Sequence, residues 1–228
     1  MYLGTPNMCR VVYGGKPKPP FEQDALALDC LDRVVWSIIG DGSSKRNDSG
    51  GTDAAEVGII ARSHPNIIGG IMDDFLNPAR IAMYSPQSLA SFKRIMGENA
   101  EREMLLWTVV YTQELDDIII PYLAECDTAT LWTWRPDDIA NMEANFQTLR
   151  RLAGQKPIMG GCYLWDYSAS REMDEDMLRY QLGKYHQWMA SGDIEGVIFC
   201  SNNVTDIGLS SVKIVREWIS GHKYEIVP

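Results

Sequence analysis

Histidine is scarce in this chain of 228 residues, which contains only three. His64 precedes a proline, His186 lies in a predicted helix and His222 lies near the end of the sequence, so none stands at the end of a predicted strand. A histidine-rich metal centre is therefore not expected. A Ser-His-Asp triad lacks a placed base, and the GxSxG sequence that presents its nucleophile is absent. The sequence predicts no metal ligands and no cofactor.

Basic residues and long apolar runs are also few. The 21 Lys and Arg residues against 31 Asp and Glu residues give a net charge of −10, which argues against nucleic acid or an anionic membrane as a partner. No apolar run approaches the roughly 20 residues that span a bilayer, and the first residues lack the pattern of a signal peptide. Five cysteines without a CxxC sequence indicate reduced thiols. These features predict a soluble, cytoplasmic protein, and they leave oligomer formation open.

Short β-branched or aromatic runs alternate along the chain with segments of helical periodicity. The predicted strands are Met8–Tyr13, Arg33–Ile39, Ile67–Phe75, Met104–Thr112, Thr128–Trp134, Pro157–Trp165 and Glu195–Ser201. Mostly apolar strands separated by helices are typical of a parallel sheet that helices cover. We therefore predict an α/β fold, a (β/α)8 barrel of the TIM type, formed by residues 1–228 as a single domain.

The strand count falls one short of eight. Either Lys223–Val227 supplies the last strand, or one βα unit is incomplete or lies upstream of this sequence. The alternative architecture is a doubly wound open sheet, which usually carries a glycine-rich phosphate loop after its first strand. Here that strand leads into residues 14–20 (GGKPKPP), which match neither GxGxxG nor GxxxxGK[ST]. The barrel is the favoured prediction.

Carboxylates follow several of the predicted strands, where barrels of this kind carry their catalytic groups. Asp73 and Asp74 end the third strand, Glu114 follows the fourth and Asp166 ends the sixth, while Asp41 after the second is a weaker candidate. A charge at the end of a buried strand is costly unless it is paired or used. Two or more carboxylates suit acid, base or nucleophilic chemistry on an acetal. Asp73, Asp74, Glu114 and Asp166 are the predicted catalytic residues; loop and helix capping is the alternative.

Aromatic and amide side chains accompany these acids. Indole faces pack against the C–H faces of sugar rings, and binding pockets are commonly lined by aromatic groups with a few polar ones. Core packing is the alternative interpretation for the tryptophans, and Mg²⁺ held by carboxylates in a lyase or isomerase is an alternative function. The predicted substrate-binding residues are Tyr13, Trp36, Trp132, Trp134, Arg135, Trp165, Asn202 and Asn203.

The segment His64–Phe75 (HPNIIGGIMDDF) resembles a stretch of glycoside-hydrolase-like TIM barrels of bacteria, in which a helix ends in HPN and the next strand ends in an acidic pair. Cys162–Tyr167 and Ile194–Phe199 are similar to other strands of the same poorly characterised family. The resemblance implies a sugar-active barrel, a glycoside hydrolase, and names no substrate. Many retaining barrel glycosidases carry a glutamate at the end of strand seven, where this chain has Asn202 and Asn203. A non-catalytic carbohydrate-binding barrel is therefore the alternative.

Overall fold

The structure is a computed structural model that describes residues 2–42, 52–200 and 204–225. Its strands are β1 (Asn7–Arg10), β2 (Arg33–Ile39), β3 (Ile67–Met72), β4 (Leu105–Tyr111), β5 (Thr128–Trp132), β6 (Ile158–Tyr163), β7 (Trp165–Asp166), β8 (Arg171–Glu172) and β9 (Gly196–Cys200). Its α-helices are α1 (Glu22–Leu26), α2 (Thr52–Ser63), α3 (Pro78–Ile81), α4 (Pro86–Ala100), α5 (Ile120–Glu125), α6 (Met142–Ala153), α7 (Glu175–Ala190) and α8 (Ser210–His222). Three short 3₁₀ helices cover Thr112–Glu114, Asp117–Ile119 and Pro136–Asn141.

Seven strands form one parallel sheet in the order β1-β2-β3-β4-β5-β6-β9, and β7 and β8 form a separate antiparallel pair. Strands that follow one another along the chain are therefore neighbours in the sheet, with helices between them. A doubly wound sheet would reverse its strand order instead. The predicted α/β fold of the TIM type, with one βα unit incomplete, is confirmed.

The chain divides into two compact units. The first unit comprises Pro6–Val110 and Asp116–Ala129, and the second comprises Met1–Thr5, Tyr111–Leu115 and Thr130–Pro228. Each unit buries an apolar core: Trp36 and Met72 are fully buried in the first, and Phe146 and Leu178 are buried in the second. The prediction that residues 1–228 form a single domain stays a prediction.

Local sequence signals explain where several helices begin. Ser85 is the N-cap of α4, its hydroxyl accepts from the Ser88 N–H, and Pro86 takes the first helical position, as predicted. Asp174 caps α7 by accepting from the N–H groups of Asp176 and Met177. These caps place the helices that follow β3 and β6 and satisfy backbone donors that no helical carbonyl can reach.

The structure corrects the ends of several predicted elements. The first strand stops at Arg10, because residues 13–16 form a tight turn in which Tyr13 and Lys16 exchange backbone hydrogen bonds of 3.0 Å. The third strand stops at Met72 rather than Phe75, because the backbone turns at Asp74. The predicted final strand is wrong over residues 223–225, which form a turn after α8; residues 226 and 227 lie outside the described residues.

In the ranges that the structure describes, no helix combines the length and the apolar character needed to cross a bilayer.

Candidate functional site

Two adjacent aspartates follow β3 in the first unit, at the point where the strand leaves the sheet. The Asp73 N–H donates to the Ile39 carbonyl oxygen (2.9 Å) and so extends the pairing with β2 by one residue. Asp74 then takes a left-handed backbone conformation (φ 46°) that turns the chain away. Aspartate tolerates this conformation better than most residues, and non-glycine residues held in it cluster at functional sites. Both aspartates are half-buried.

Backbone amides orient the two carboxyl groups. The Asp74 N–H donates to Asp73 Oδ1 (3.0 Å), and the Gly42 N–H donates to Asp74 Oδ2 (2.7 Å). A Cβ at residue 42 would stand 3.2 Å from that same Oδ2 atom, so a glycine here lets the loop after β2 approach closely. Such charge-assisted bonds hold a carboxylate in one direction. The pair is therefore positioned by the ends of two neighbouring strands.

Asp41 lies beside this pair, and we call Asp41, Asp73 and Asp74 the acid group. Asp41 Oδ1 accepts from the Gly14 N–H (3.2 Å), and the Asp41 carbonyl oxygen accepts from Nη2 of Arg80 (3.2 Å). Arg80 is buried, although arginine is seldom found inside a protein without a partner. Its guanidinium binds the backbone of Asp41 and so holds the start of the loop that follows β2.

The pKa of the Cys9 thiol, on β1, is raised to about 12. The larger cause is the burial of the sulfur, and the smaller cause is the negative charge of Asp73. The thiol is therefore protonated at neutral pH, and a thiol in that form is not a nucleophile. The chemistry that this end of the sheet can perform comes from its carboxyl groups.

Five aromatic side chains of the second unit pack against one another, and we call them the aromatic cluster: Tyr111, Trp132, Trp134, Tyr163 and Tyr167. The Trp134 ring stacks on Tyr167, with ring centroids 6.0 Å apart and planes 16° apart. It meets Tyr163 and Tyr111 edge-on, at 5.8 and 6.3 Å. Trp134 is 38% exposed, whereas Trp132 and Tyr163 are buried. The cluster thus presents one indole to solvent and supports it with other rings.

A glycine in β6 makes room for the buried part of the aromatic cluster. A Cβ on Gly161 would lie 2.1 Å from the Trp132 ring, so that ring rests flat on the strand. Trp132 Nε1 donates to Thr130 Oγ1 (2.8 Å), which satisfies the one polar group of the indole inside the protein. The Tyr163 ring then packs on Trp132 with centroids 5.0 Å apart. Trp132 is therefore a buried residue that supports the cluster from below and is not part of its exposed surface.

The Glu114 carboxylate is hydrogen-bonded to the backbone of Tyr111, a member of the aromatic cluster. Glu114 ends the 3₁₀ turn that follows β4, and its Oε2 accepts from the Tyr111 N–H (3.0 Å). The side chain is half-buried. One carboxyl group of the second unit is therefore held next to a member of the aromatic cluster.

Asp166 is bound within its own turn. Its Oδ1 accepts from Ser168 Oγ (2.6 Å) and from the Ala169 N–H (3.0 Å), and its Oδ2 accepts from Arg171 Nε (3.2 Å). Burial acts to raise the pKa of Asp166, but these hydrogen bonds and the charge of Arg171 outweigh it, so the pKa is lowered. Asp166 is 3% exposed and ionised at neutral pH. This arrangement suits an anchor of the β7–β8 turn better than a proton donor.

Two predicted substrate-binding residues of the first unit differ in exposure. Tyr13 is 66% exposed at the tight turn after β1. Trp36 has no exposed surface and packs against Phe21, with ring centroids 5.2 Å apart. A fully buried indole cannot touch a ligand, so the alternative of core packing describes Trp36.

The remaining candidates belong to the second unit. Trp165 is half-buried and pairs with Glu172 across the two-stranded β7–β8 pair. Arg135 is exposed and immediately precedes the 3₁₀ helix Pro136–Asn141. Asn202 and Asn203 lie outside the described residues.

The structure thus brings Asp73 and Asp74 together with Asp41, and Trp132 and Trp134 together with three tyrosines. Sequence reasoning missed the tyrosines Tyr111, Tyr163 and Tyr167. A signal was present, since Tyr163 and Tyr167 flank Trp165-Asp166 and Tyr111 stands near the end of the fourth predicted strand. A search for tyrosine as well as tryptophan at the ends of the predicted strands would have identified them.

Seven parallel strands alternating with helices define the class, an α/β protein with the TIM-type fold. Among solved structures the chain is similar to the glycoside hydrolase domain of PgaB (BpsB) from Bordetella bronchiseptica, with a TM-score of 0.55, 12% identity, and coverage of 87% of this chain and 79% of that chain. It is also similar to a glycoside hydrolase family 17 beta-1,3-glucanosyltransferase from Rhizomucor miehei, with a TM-score of 0.47, 11% identity and coverage of 86% of each chain. No protein-family model and no curated protein matches the sequence. At these identities the likeness to the Bordetella domain shows the fold.

Proposed function

We propose that this chain is a carbohydrate-active enzyme, a glycoside hydrolase that uses carboxyl groups as acid, base or nucleophile. The observation that carries the proposal is the pair Asp73 and Asp74, adjacent at the end of a buried strand, oriented by backbone amides, with Asp74 in a left-handed conformation. The Bordetella neighbour is a glycoside hydrolase domain, which supports the same class of substrate.

Cleavage of a glycosidic bond needs one carboxylic acid to protonate the leaving oxygen and one carboxylate to attack the sugar or to activate water. Asp73 and Asp74 offer both carboxyl groups within the first unit. Glu114, in the second unit, remains a predicted catalytic residue. Asp166 completes the predicted set, but its oxygens accept three internal hydrogen bonds, so we rank it last. No cofactor is needed for this chemistry.

Substrate binding is the role proposed for the aromatic cluster. Its exposed member, Trp134, stacks on Tyr167 and is braced by Tyr163 and Tyr111, so the ring is held rigidly before any ligand arrives. A rigid aromatic face loses little conformational freedom on binding. The C–H face of a sugar ring is a suitable partner for such a surface.

The test uses the purified chain with a panel of 4-nitrophenyl glycosides and with soluble polysaccharides assayed for released reducing ends. Asp73→Asn and Asp74→Asn should each lower turnover by about 10²–10⁴-fold, since that is the usual contribution of a positioned acid or base. Asp137→Asn, at an exposed position in a 3₁₀ helix, is the matched control and should keep full turnover. Equal turnover in all three variants would contradict the assignment.

A non-catalytic carbohydrate-binding protein is the second candidate, and the internal hydrogen bonding of Asp166 favours it, because one predicted catalytic acid is already committed to the fold. Calorimetry with the same oligosaccharides separates the two. Binding without turnover would establish this second candidate, and neither binding nor turnover would reject both. Activity lost on EDTA treatment and restored by Mg²⁺ would instead indicate a lyase or isomerase.

A further inference from the structure

Two of the three histidines meet at the surface of the second unit. His186 lies on α7, His222 is the last residue of α8, and Glu225 follows three residues later. Glu225 Oε2 lies 2.9 Å from His186 Nε2, and Glu225 Oε1 lies 2.7 Å from His222 Nδ1. The imidazole centroids are 4.3 Å apart. Two rings from two helices therefore converge on one carboxylate.

We propose that His186, His222 and Glu225 form a binding site for a divalent transition-metal ion, with Zn²⁺ the best match. Each residue offers one ligand atom, and these atoms all lie within 4.8 Å of one another. The site shares no residue with the acid group or the aromatic cluster, and the proposal does not depend on the function proposed for them.

The donor atoms select the metal. Two imidazole nitrogens and one carboxylate oxygen are a common ligand set for Zn²⁺, whereas Mg²⁺ and Ca²⁺ prefer oxygen alone. Bonds of about 2.0–2.1 Å to a tetrahedral ion place ligand atoms about 3.3 Å from one another. His222 Nδ1 and His186 Nε2 contact different oxygens of Glu225, at 2.7 and 2.9 Å, and the three ligand atoms all lie within 4.8 Å of one another. A hydrogen-bonded pair therefore needs to open by about half an ångström, and the remaining pairs need to close by at most about 1.5 Å, to reach that spacing.

The side chains can make this adjustment because they are only partly buried. The exposed fractions are 41% for His186, 30% for His222 and 45% for Glu225. Three protein ligands leave a fourth position for water, which is the arrangement of an accessible site. A bound ion would link α7 to the segment after α8, so metal binding should also stabilise the fold by mass action.

The competing interpretation is a hydrogen-bonded cluster without a metal, in which both imidazoles donate to Glu225. Hydrogen bonds from His222 first, and from His186 second, lower the pKa of Glu225. The two interpretations differ in what ZnCl₂ does to the protein. If the cluster is only hydrogen-bonded, the affinity of the chain for Zn²⁺ should not depend on His186 or His222.

Isothermal titration of the full chain with ZnCl₂ tests the proposal. A Cys30→Ser background is used because Cys30 is an exposed thiol, and thiolates are themselves metal ligands. We expect one ion per chain at this site. His186→Ala and His222→Ala should each weaken the affinity by at least about 10–100-fold, since loss of a ligand costs no less than loss of an outer-shell partner. Gln187→Ala, exposed and next to His186, is the control and should bind as the parent does.

Two further measurements keep the test independent of how the variants fold. Trp218 lies 5.1 Å from His222, so NiCl₂ should quench its fluorescence, and Trp218→Phe should remove that quenching without changing Zn²⁺ affinity. In proton NMR of the parent chain, ZnCl₂ should shift the ring signals of His186 and His222 but not those of His64. Unshifted His186 and His222 signals, or equal affinity after loss of both histidines, would overturn the proposal.

Discussion

Strands β3 and β6 both carry a glycine pair in mid-strand, but different neighbours occupy the space that the glycines leave. In β3, a Cβ at Gly69 would meet the Leu105 carbonyl oxygen at 2.3 Å, and a Cβ at Gly70 would meet Met96 Sδ at 2.6 Å. Backbone from β4, the flexible Met96 side chain of α4 and the Ile38 side chain of β2, at 2.8 Å, therefore fill the space beside β3. Met96 can adjust its shape more easily than a ring can.

In β6, rigid rings occupy the same space. A Cβ at Gly160 would lie 2.5 Å from the Tyr185 ring, and one at Gly161 would lie 2.1 Å from the Trp132 ring. The glycines of β6 thus let aromatic side chains pack close to the strand backbone, and Gly161 makes room for Trp132, the buried tryptophan of the aromatic cluster.

The acids that follow the two strands differ in a similar way. Asp74 accepts from the Gly42 N–H, which belongs to the loop of another strand, whereas Asp166 accepts from Ser168, Ala169 and Arg171 of its own turn. An acid at a strand end is therefore not in itself a sign of chemistry. A carboxylate oriented by a neighbouring loop is a candidate for catalysis, and one that closes its own turn is a candidate anchor.

The largest expected effect concerns the glycines. Gly161→Ala should lower the free energy of unfolding by about 3 kcal/mol, because the new methyl overlaps a buried ring that has nowhere to move. Gly70→Ala should cost about 2 kcal/mol, because Met96 can shift although the buried Ile38, whose Cγ2 would lie 2.8 Å from the new methyl, cannot shift as easily. For a chain of this size these losses correspond to about 6–12 °C and about 4–8 °C in Tm. Scanning calorimetry of both variants measures them, and equal losses would remove the contrast between the strands.

The second prediction concerns Asp166. Asp166→Asn should lower the free energy of unfolding by about 2 kcal/mol at pH 7, because an amide nitrogen replaces an acceptor in a buried set of hydrogen bonds. The folded-state pKa of Asp166 is lowered, so its stabilising effect is present above the unfolded value of about 3.9 and is lost as the pH falls through the folded value.

The difference in Tm between parent and Asp166→Asn should therefore be full at pH 6 and should shrink below about pH 4. Asp74→Asn is the control, because asparagine also tolerates a left-handed backbone and its oxygen can still accept from Gly42. A difference between parent and Asp166→Asn that stays constant down to pH 2.5 would contradict the anchoring role.

The third prediction concerns His64 in the first unit, whose effect on stability should depend on pH in the opposite direction to that of Asp166. Burial acts to lower the pKa of His64, but the hydrogen bonds and charges of Asp29 and Glu22 outweigh it, so the pKa is raised. The stabilising effect of His64 is therefore full below the unfolded value of about 6.5 and is lost as the pH rises through the folded value. His64→Gln should cost about 1 kcal/mol at pH 6 and less at pH 9, as thermal melts would show. A cost that grows with pH would reject this.

The last prediction concerns the exposed indole of Trp134. Trp134→Ala should weaken oligosaccharide binding about five- to tenfold, about 1 kcal/mol, by removing a stacking face. Tyr180→Ala, a comparably exposed aromatic residue on α7, should leave the affinity unchanged. Titration calorimetry measures both, and an unchanged affinity in Trp134→Ala would separate the aromatic cluster from sugar binding.

Residues 64–66 (HPN) belong to the motif that carries the resemblance, and their contacts show a structural role. His64 Nδ1 lies 2.5 Å from Asp29 Oδ1, and Asn66 Nδ2 donates to the carbonyl oxygens of Leu28 (2.9 Å) and Leu31 (3.1 Å). These residues therefore hold the segment after α1 against the start of β3. The HPN part of the motif acts in folding, and the acid pair at its other end is the candidate for chemistry.

The sequence by itself determined the succession of seven strands and their helices, and β2 has the predicted bounds of Arg33–Ile39. It also determined which acids stand at strand ends. Both follow from hydrophobic periodicity and capping residues, which are local properties of the chain. The contacts of Asp166 are also local, because its partners lie two to five residues further along the chain, but hydrophobic periodicity does not reveal them. Only the tertiary structure decided that five aromatic rings pack together around Trp134 and that His186 meets His222. These two outcomes depend on packing between segments distant in sequence, and periodicity carries no information on such contacts.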